Sequence, residues 1–163
     1  MKIAFIGPCN SIHLVRWLRF FCEQGWQVMY LGNCDAFCEP VPGVELVHFV
    51  PGAGAWRRLG NIRAFRRALQ TAQPDLVNIH YLDQHMLAMF ACGTIPVVLS
   101  GWGDDILIDP LRSAVRAWAV RRLCRRAALV TSMAPHMTAV MTEFLGIPEE
   151  KILTQLWGCD TRV

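Results

Sequence analysis

The sequence predicts an α/β fold in which helices cover both faces of a doubly wound, mostly parallel sheet of about seven strands. Short apolar runs alternate with segments of helical periodicity along all 163 residues, a pattern typical of right-handed βαβ crossovers. The strand-like runs are mostly apolar without alternation, as expected for strands buried on both faces. The composition, 53% hydrophobic and 18% charged, suits such a heavily covered sheet.

The first 32 residues form the βαβ unit around which the other segments are arranged. Residues 2–7 are predicted to be a buried strand and residues 27–32 the next one. Between them, one apolar stripe has the helical spacing i, i+3, i+4 and i+7: Leu14, Trp17, Leu18 and Phe21. Gly25 ends this helix. The loop after the first strand therefore lies at the carboxyl end of that strand, where open α/β sheets bind ligands.

The rest of the chain continues the alternation. Further strands are predicted at 44–50, 75–81, 96–100, 128–132 and 151–157, and helices at 56–73, 84–92, 111–126 and 134–145. Residues 33–43 are predicted to form a loop, and Pro74 is predicted to end the second helix. No internal repeat, low-complexity tract or second-domain boundary is visible.

The lengths of the apolar runs and the cysteine pattern exclude several classes of protein. No apolar run approaches the roughly 18 to 20 residues that span a bilayer, and the Met1 region lacks the features of a signal peptide, so we expect a cytoplasmic protein. The seven cysteines are odd in number and contain no CxxC pair. This pattern argues against a disulfide framework or a zinc site and predicts reduced thiols.

The net charge is only +3, but arginines are concentrated in two predicted helices: Arg57, Arg58, Arg63, Arg66 and Arg67 in one, and Arg112, Arg116, Arg121, Arg122, Arg125 and Arg126 in the other. Without a helix-turn-helix or an aromatic RNA-binding motif, nucleic acid is the weakest candidate partner. Interleaved apolar residues such as Trp118 favour an anionic membrane surface. A solvated basic face is the alternative.

Three loops are predicted to meet at the carboxyl edge of the sheet, at residues 7–13, 80–83 and 100–105. The first offers backbone N–H groups and a helix N-terminus to an anion or a hydroxyl-rich ligand. It lacks the second and third glycines of a dinucleotide fingerprint and the lysine of a P-loop. A nicotinamide or flavin site is therefore poorly supported.

The other two loops carry side chains suited to chemistry. His80 ends a central strand, where its titration near neutrality suits acid–base or hydrogen-bonding work, although a structural histidine fits equally well. Asp104 and Asp105 follow Trp102 and Gly103. This loop could stack and hydrogen-bond a sugar, coordinate a metal, or cap the next helix. No cluster of ligand residues implies a metal.

Several segments together resemble the group-4-like retaining glycosyltransferases of the GT-B fold. The resemblance rests on the segments 7–17 and 25–28, 74–80, 102–105, 145–152 and 157–161. The chain departs from the family pattern at Trp26 and Asn78, which replace histidines, and at Asp104, which replaces a serine. Trp102 stands where many members have a histidine, so a catalytic histidine in that loop is not carried over.

The resemblance implies one half of an enzyme. Residues 1–157 would be the Rossmann-like, three-layer N-terminal domain, and residues 158–163 the start of a hinge to a C-terminal domain that binds the nucleotide-sugar donor. His80 and Asp105 are then the expected catalytic residues. The expected substrate-binding residues are Gly7, Asn10, Ser11, His13, Trp102, Gly103 and Asp104. No cofactor is implied besides the nucleotide-sugar donor. We expect the domain alone to show little or no turnover, because the contacts to the leaving diphosphate come from the other domain.

The same resemblance implies a hydroxyl acceptor, either a saccharide or a lipid-linked molecule. With the basic helices, it predicts a protein held peripherally at the inner face of the cell membrane. An exposed domain interface also predicts a homodimer. Two other classes stay open: a flavodoxin-like or nucleotide-binding regulatory module, and a nicotinamide oxidoreductase.

Overall fold

A computed structural model describes residues 1–32, 37–48, 55–82 and 86–158. It contains a seven-stranded sheet in which every pair of neighbours is parallel, in the order β3-β2-β1-β4-β5-β6-β7. The strands are β1 Lys2–Ile6, β2 Gln27–Gly32, β3 Val44–His48, β4 Leu76–His80, β5 Val97–Ser100, β6 Leu129–Ser132 and β7 Ile152–Thr154. The predicted α/β, doubly wound architecture is confirmed.

Helices alternate with these strands. They are α1 Ile12–Glu23, α2 Ala55–Ala72, α3 Asp104–Leu107, α4 Ala114–Arg126 and α5 Pro135–Ala139. Short 3₁₀ helices lie at Met86–Phe90, Asp109–Arg112 and Glu149–Lys151, and α5 continues as a π-helix at Val140–Phe144. None of the helices in the described ranges is both long and apolar enough to cross a membrane.

The core has two parts, one on each face of the sheet. Ile3 and Phe5 of β1 pack with α1 on one face, whereas Ala4 and Ile6 of the same strand join the larger cluster on the other face. That larger cluster includes residues of α2, α4 and α5. Because β1 is buried on both faces, its sequence is apolar without alternation.

Local details differ from the sequence prediction. The helix predicted at 111–126 begins only after Ser113, whose side-chain Oγ accepts the N–H of Arg116 at 3.2 Å and caps α4. The predicted helix at 84–92 is a 3₁₀ helix over Met86–Phe90. The four-residue α3 was not predicted, because one turn is too short to show periodicity.

Some predictions fall on residues outside the described ranges: residues 49–50 of the third strand, Asp83, and the proposed hinge beyond Gly158. Side chains are not described at Arg57 and Arg58.

The expectation that all cysteines are reduced thiols is wrong for Cys9, which is disulfide-bonded. The prediction is confirmed for four others: Cys22, Cys38, Cys92 and Cys124. Number and spacing in the sequence do not reveal a disulfide that depends on the fold bringing two sulfur atoms together.

The chain winds from β1 through β2 to β3 on one side, then returns to β4 and continues to β7 on the other. The direction in which successive strands are added to the sheet therefore reverses between β1 and β4, whose carboxyl ends are adjacent. In doubly wound sheets this is the position of the ligand crevice.

Candidate functional site

The candidate site is built from the segments that follow β1, β4 and β5 at the carboxyl edge of the sheet. The first segment approaches β4 so closely that a Cβ atom on Gly7 would lie 2.9 Å from the Cβ atom of His80. The segments after β4 and β5 are joined by the N–H of Tyr81, which donates to the Ser100 carbonyl at 3.2 Å. The three predicted loops thus meet as expected in their described parts.

A buried tyrosine holds the first loop. The Tyr30 hydroxyl donates to the carbonyl of Gly7 at 2.8 Å, and burial raises the pKa of Tyr30 to about 12. The hydroxyl therefore remains a donor throughout the physiological pH range. Sequence reasoning missed this role, since Tyr30 looks like any other buried residue of β2.

The same loop leads into α1. Ser11 is the N-cap of α1, and its Oγ accepts the N–H of His13 at 3.3 Å. His13 is exposed on the first turn, and its ring lies 5.6 Å from that of Trp102 and 5.1 Å from that of Trp157, between centroids. Asn10 is exposed at the turn and Gly7 is buried beneath it.

His80 is completely buried and holds Trp102 in place. The indole Nε1–H of Trp102 donates to Nδ1 of His80 at 3.1 Å. Because an indole nitrogen can only donate, Nδ1 carries the lone pair in this arrangement. The rings of Phe5 and Trp17 lie 5.8 and 5.7 Å from that of His80. The geometry makes His80 a support for the Trp102 indole, and a direct contact between His80 and an acceptor stays a prediction.

Asp105 fixes the backbone of the Trp102 loop. Its Oδ1 accepts the N–H groups of Trp102 and Gly103, both at 2.9 Å, and its Oδ2 accepts the N–H of Leu82 at 3.0 Å. The carboxyl is 1% exposed. Burial raises its pKa, and the hydrogen bonds from backbone N–H groups oppose this shift in part. Asp105 thereby ties the loop after β5 to the end of β4, while Asp104 beside it is exposed on the first turn of α3.

Trp102 is the centre of an aromatic cluster at the edge of the sheet. Besides His13, the rings of Tyr81 and Trp157 both lie 5.9 Å from it. Tyr81 has a backbone φ of 62°, a left-handed conformation that a bulky residue rarely adopts and that is found preferentially at functional sites. The polar aromatic end of β4 was visible in the sequence, but the approach of Trp157 from beyond β7 was not.

A cavity of about 580 Å³ opens beside this cluster, between α1 and the segment that follows β7. Its size is typical of sites for small molecules. Its lining residues are His13, Arg16, Trp17, Phe20, Gln155, Leu156, Trp157 and Gly158. Among the residues that the structure describes, the cavity lining therefore combines aromatic surfaces with one guanidinium group and no carboxylate.

This arrangement is suited to binding and orienting a molecule that stacks on aromatic rings. No group of three or more potential metal-ligating side chains occurs within the residues that the structure describes. The buried carboxylate is already engaged by backbone N–H groups, and Arg16 supplies a cation at the cavity. The site can therefore stack against a ligand, form hydrogen bonds with it and recognise an anionic group.

The model of a protein family described as "Glycosyl transferase 4-like" matches residues 2–134. The matched region includes Gly7, His80 and Trp102. No curated protein matches the chain.

Three solved structures show the same fold. A sucrose-phosphate synthase from Thermosynechococcus elongatus is 13% identical, with a TM-score of 0.71 over 99% of this chain and 48% of that chain. Anabaena Alr3699/HepE in complex with UDP-glucose is 19% identical, with a TM-score of 0.69 over 98% and 44%. The UDP-GlcNAc 2-epimerase of Methanocaldococcus jannaschii is 14% identical, with a TM-score of 0.67 over 94% and 45%. The chain spans less than half the length of each of these three.

Proposed function

The chain belongs to the glycosyl transferase 4-like family, and on that basis we propose that it is the acceptor-binding half of a glycosyltransferase. The reaction would move a sugar from a nucleotide-sugar donor to a hydroxyl group of an acceptor. The observation that carries the proposal is the family match, because it spans all three segments of the candidate site. The donor would be bound mainly by a second domain outside these residues, which is consistent with the share of HepE that the chain covers.

In this proposal Trp102 is the platform on which the acceptor stacks. Its indole N–H is held by a hydrogen bond to His80, and its backbone N–H is held by Asp105. These two residues, which the sequence predicted as catalytic, would act by positioning Trp102 and by shaping the field around the acceptor hydroxyl. Such positioning matters because a misplacement of about 1 Å can cost on the order of 100-fold in rate.

The remaining predicted residues would surround the acceptor. We assign His13 to a side-chain contact, since it already faces Trp102. Contacts to acceptor hydroxyls would come from the turn preceding α1, at Gly7, Asn10 and Ser11, and from the start of α3, at its N-cap Gly103 and its first residue Asp104.

The acceptor would be a saccharide or a lipid-linked molecule. Aromatic rings suit the apolar face of a sugar or the first part of a lipid chain, and Arg16 suits an anionic group such as a phosphate. A lipid-linked acceptor would place the protein in the cytoplasm at the inner face of the cell membrane, and this location is part of the proposal.

Amide and indole NMR tests the acceptor site. We would titrate the 163-residue chain with methyl glucosides and with a short alkyl phosphate, and we expect saturable shifts at Trp102, His13 and Trp157. Trp102→Ala should remove these shifts. Trp118→Ala is the matched control in the glucoside titration, because it deletes an exposed indole on α4 outside the site, and the shifts at Trp102, His13 and Trp157 should equal those of the wild type. Shifts that survive in Trp102→Ala would contradict the proposed platform.

A further inference from the structure

Exposed apolar side chains form a surface on α4 and the neighbouring 3₁₀ helix that shares no residue with the candidate site. Trp118 and Val115 are 61% and 74% exposed, and Phe90 of the neighbouring 3₁₀ helix is 51% exposed. Val115, Trp118 and Arg122 follow one another at i, i+3 and i+7 and therefore share one face of the helix. Large apolar residues grouped on a surface mark a contact with something apolar.

The same surface is strongly cationic. α4 contains five arginines and no acidic residue. Arg121 and Arg125 donate to the backbone carbonyls of residues 144–146. These bonds position their side chains, and neither arginine pairs with a carboxylate within the described ranges. Arg122 and Arg126 make no hydrogen bond or ion pair among the described residues. By contrast, Arg116 shares the Asp109 carboxylate with Arg112.

The apolar and cationic groups meet in one groove of about 500 Å³. Phe90, Trp118 and the four arginines at positions 121, 122, 125 and 126 line it. Indole rings partition to the boundary between headgroups and acyl chains, and guanidinium groups pair with phosphate oxygens. A groove that offers both within one helix face fits the boundary layer of an anionic bilayer.

We propose that this surface, defined by Phe90, Val115, Trp118, Arg122 and Arg126, docks on a membrane that contains anionic phospholipid. The occupant is argued from charge complementarity together with the adjoining apolar side chains. An acidic protein or an RNA would use the arginines but not the apolar row that extends to Val115. The inference rests on the proposed function in one respect, because a lipid-linked acceptor would lie in the same membrane.

Flotation of the 163-residue chain with lipid vesicles tests this surface. We expect binding to vesicles of phosphatidylcholine with about 30% phosphatidylglycerol, and little binding to phosphatidylcholine alone. Each arginine near such a surface contributes on the order of 1 kcal/mol, so Arg122→Gln with Arg126→Gln should weaken partitioning about 30-fold at low salt. Trp118→Ser should weaken it with less dependence on salt, since it removes an apolar contact.

The matched control is Arg63→Gln with Arg66→Gln, which removes the same charge from exposed positions on α2. This variant should float like the wild type. Equal losses in both double variants, equal binding to neutral vesicles, or binding to polyuridylate or polyglutamate without vesicle binding would overturn the proposal. The assay needs neither donor nor acceptor, so a failure here leaves sugar transfer to a soluble acceptor intact.

Discussion

The most informative single residue in the site is Asp105, because its carboxylate receives three backbone N–H groups from two different segments. We expect Asp105→Asn to lower the free energy of unfolding by on the order of 1–3 kcal/mol, since the amide nitrogen would face an N–H donor. Urea unfolding measures this change. Asp104→Asn, at the exposed neighbouring position, should stay within about 0.5 kcal/mol of the wild type.

Asp105 also predicts how stability depends on pH. Burial raises its pKa in the folded state above the unfolded value. Its contribution is therefore fully present below the unfolded pKa and is lost as the pH rises through the folded pKa. The stability difference between the wild type and Asp105→Asn should accordingly shrink as the pH increases from about 4. A difference that grows with pH would show that the hydrogen bonds from the N–H groups lower the pKa of Asp105 by more than burial raises it.

The roles of single residues were only partly predictable. Trp102, Asp105 and His80 stood out because polar and aromatic side chains at strand ends are suited to ligands. The sequence does not show that Nδ1 of His80 accepts from Trp102, because this depends on where the loop after β5 folds. Tyr30 gave no signal at all, since its hydroxyl faces a carbonyl of another strand end.

Among the secondary-structure elements, the ends of β1 and β4 approach each other closely, since a Cβ atom on Gly7 would lie 2.9 Å from the Cβ atom of His80. We expect Gly7→Ala to destabilise the fold by on the order of 1–3 kcal/mol, because its Cβ atom would press on that of His80 and neither can move independently of the backbone. Chemical denaturation measures the effect. Gly158→Ala is the control, as its Cβ atom would meet nothing within 4 Å. Equal stabilities for the two variants would mean that β1 and β4 separate easily.

Arg121 on α4 holds the end of the π-helix through two hydrogen bonds to backbone carbonyls. Arg121 donates through Nε to the Leu145 carbonyl at 2.8 Å and through its second terminal nitrogen, Nη2, to the Phe144 carbonyl at 2.9 Å. Arg121→Gln should lower stability by about 1–3 kcal/mol and accelerate amide exchange in residues 140–147. Arg122→Gln removes the same charge one position along and should change neither quantity. Exchange that accelerates equally in both variants would refute the capping role.

Helices and strands could be predicted where their burial determines the pattern of apolar residues. The strands buried on both faces were found, because their residues must be apolar on both sides. The short α3 and the change from α-helix to π-helix at Val140 were not found, since neither alters the spacing of apolar residues enough to be visible. The boundary at Ser113 was missed for the opposite reason: the apolar pattern continues through a residue whose hydroxyl caps the next helix.

For the whole molecule, the alternation of elements and the order of the motifs were enough to indicate the fold and the family. The cavity beside α1 could not be predicted, because it forms only when residues beyond β7 return across the carboxyl edge to meet His13. We propose that this chain holds an acceptor and leaves the nucleotide to another domain.

One series of NMR titrations tests this proposal directly. The 163-residue chain is titrated with UDP-glucose, GDP-mannose, NAD and FMN, and in parallel with saccharide acceptors. We expect saturable shifts around Trp102 with acceptors and no tight binding of any nucleotide. Tight binding of NAD or FMN, with shifts at residues 7–11, would contradict the proposal and would identify a self-sufficient cofactor domain.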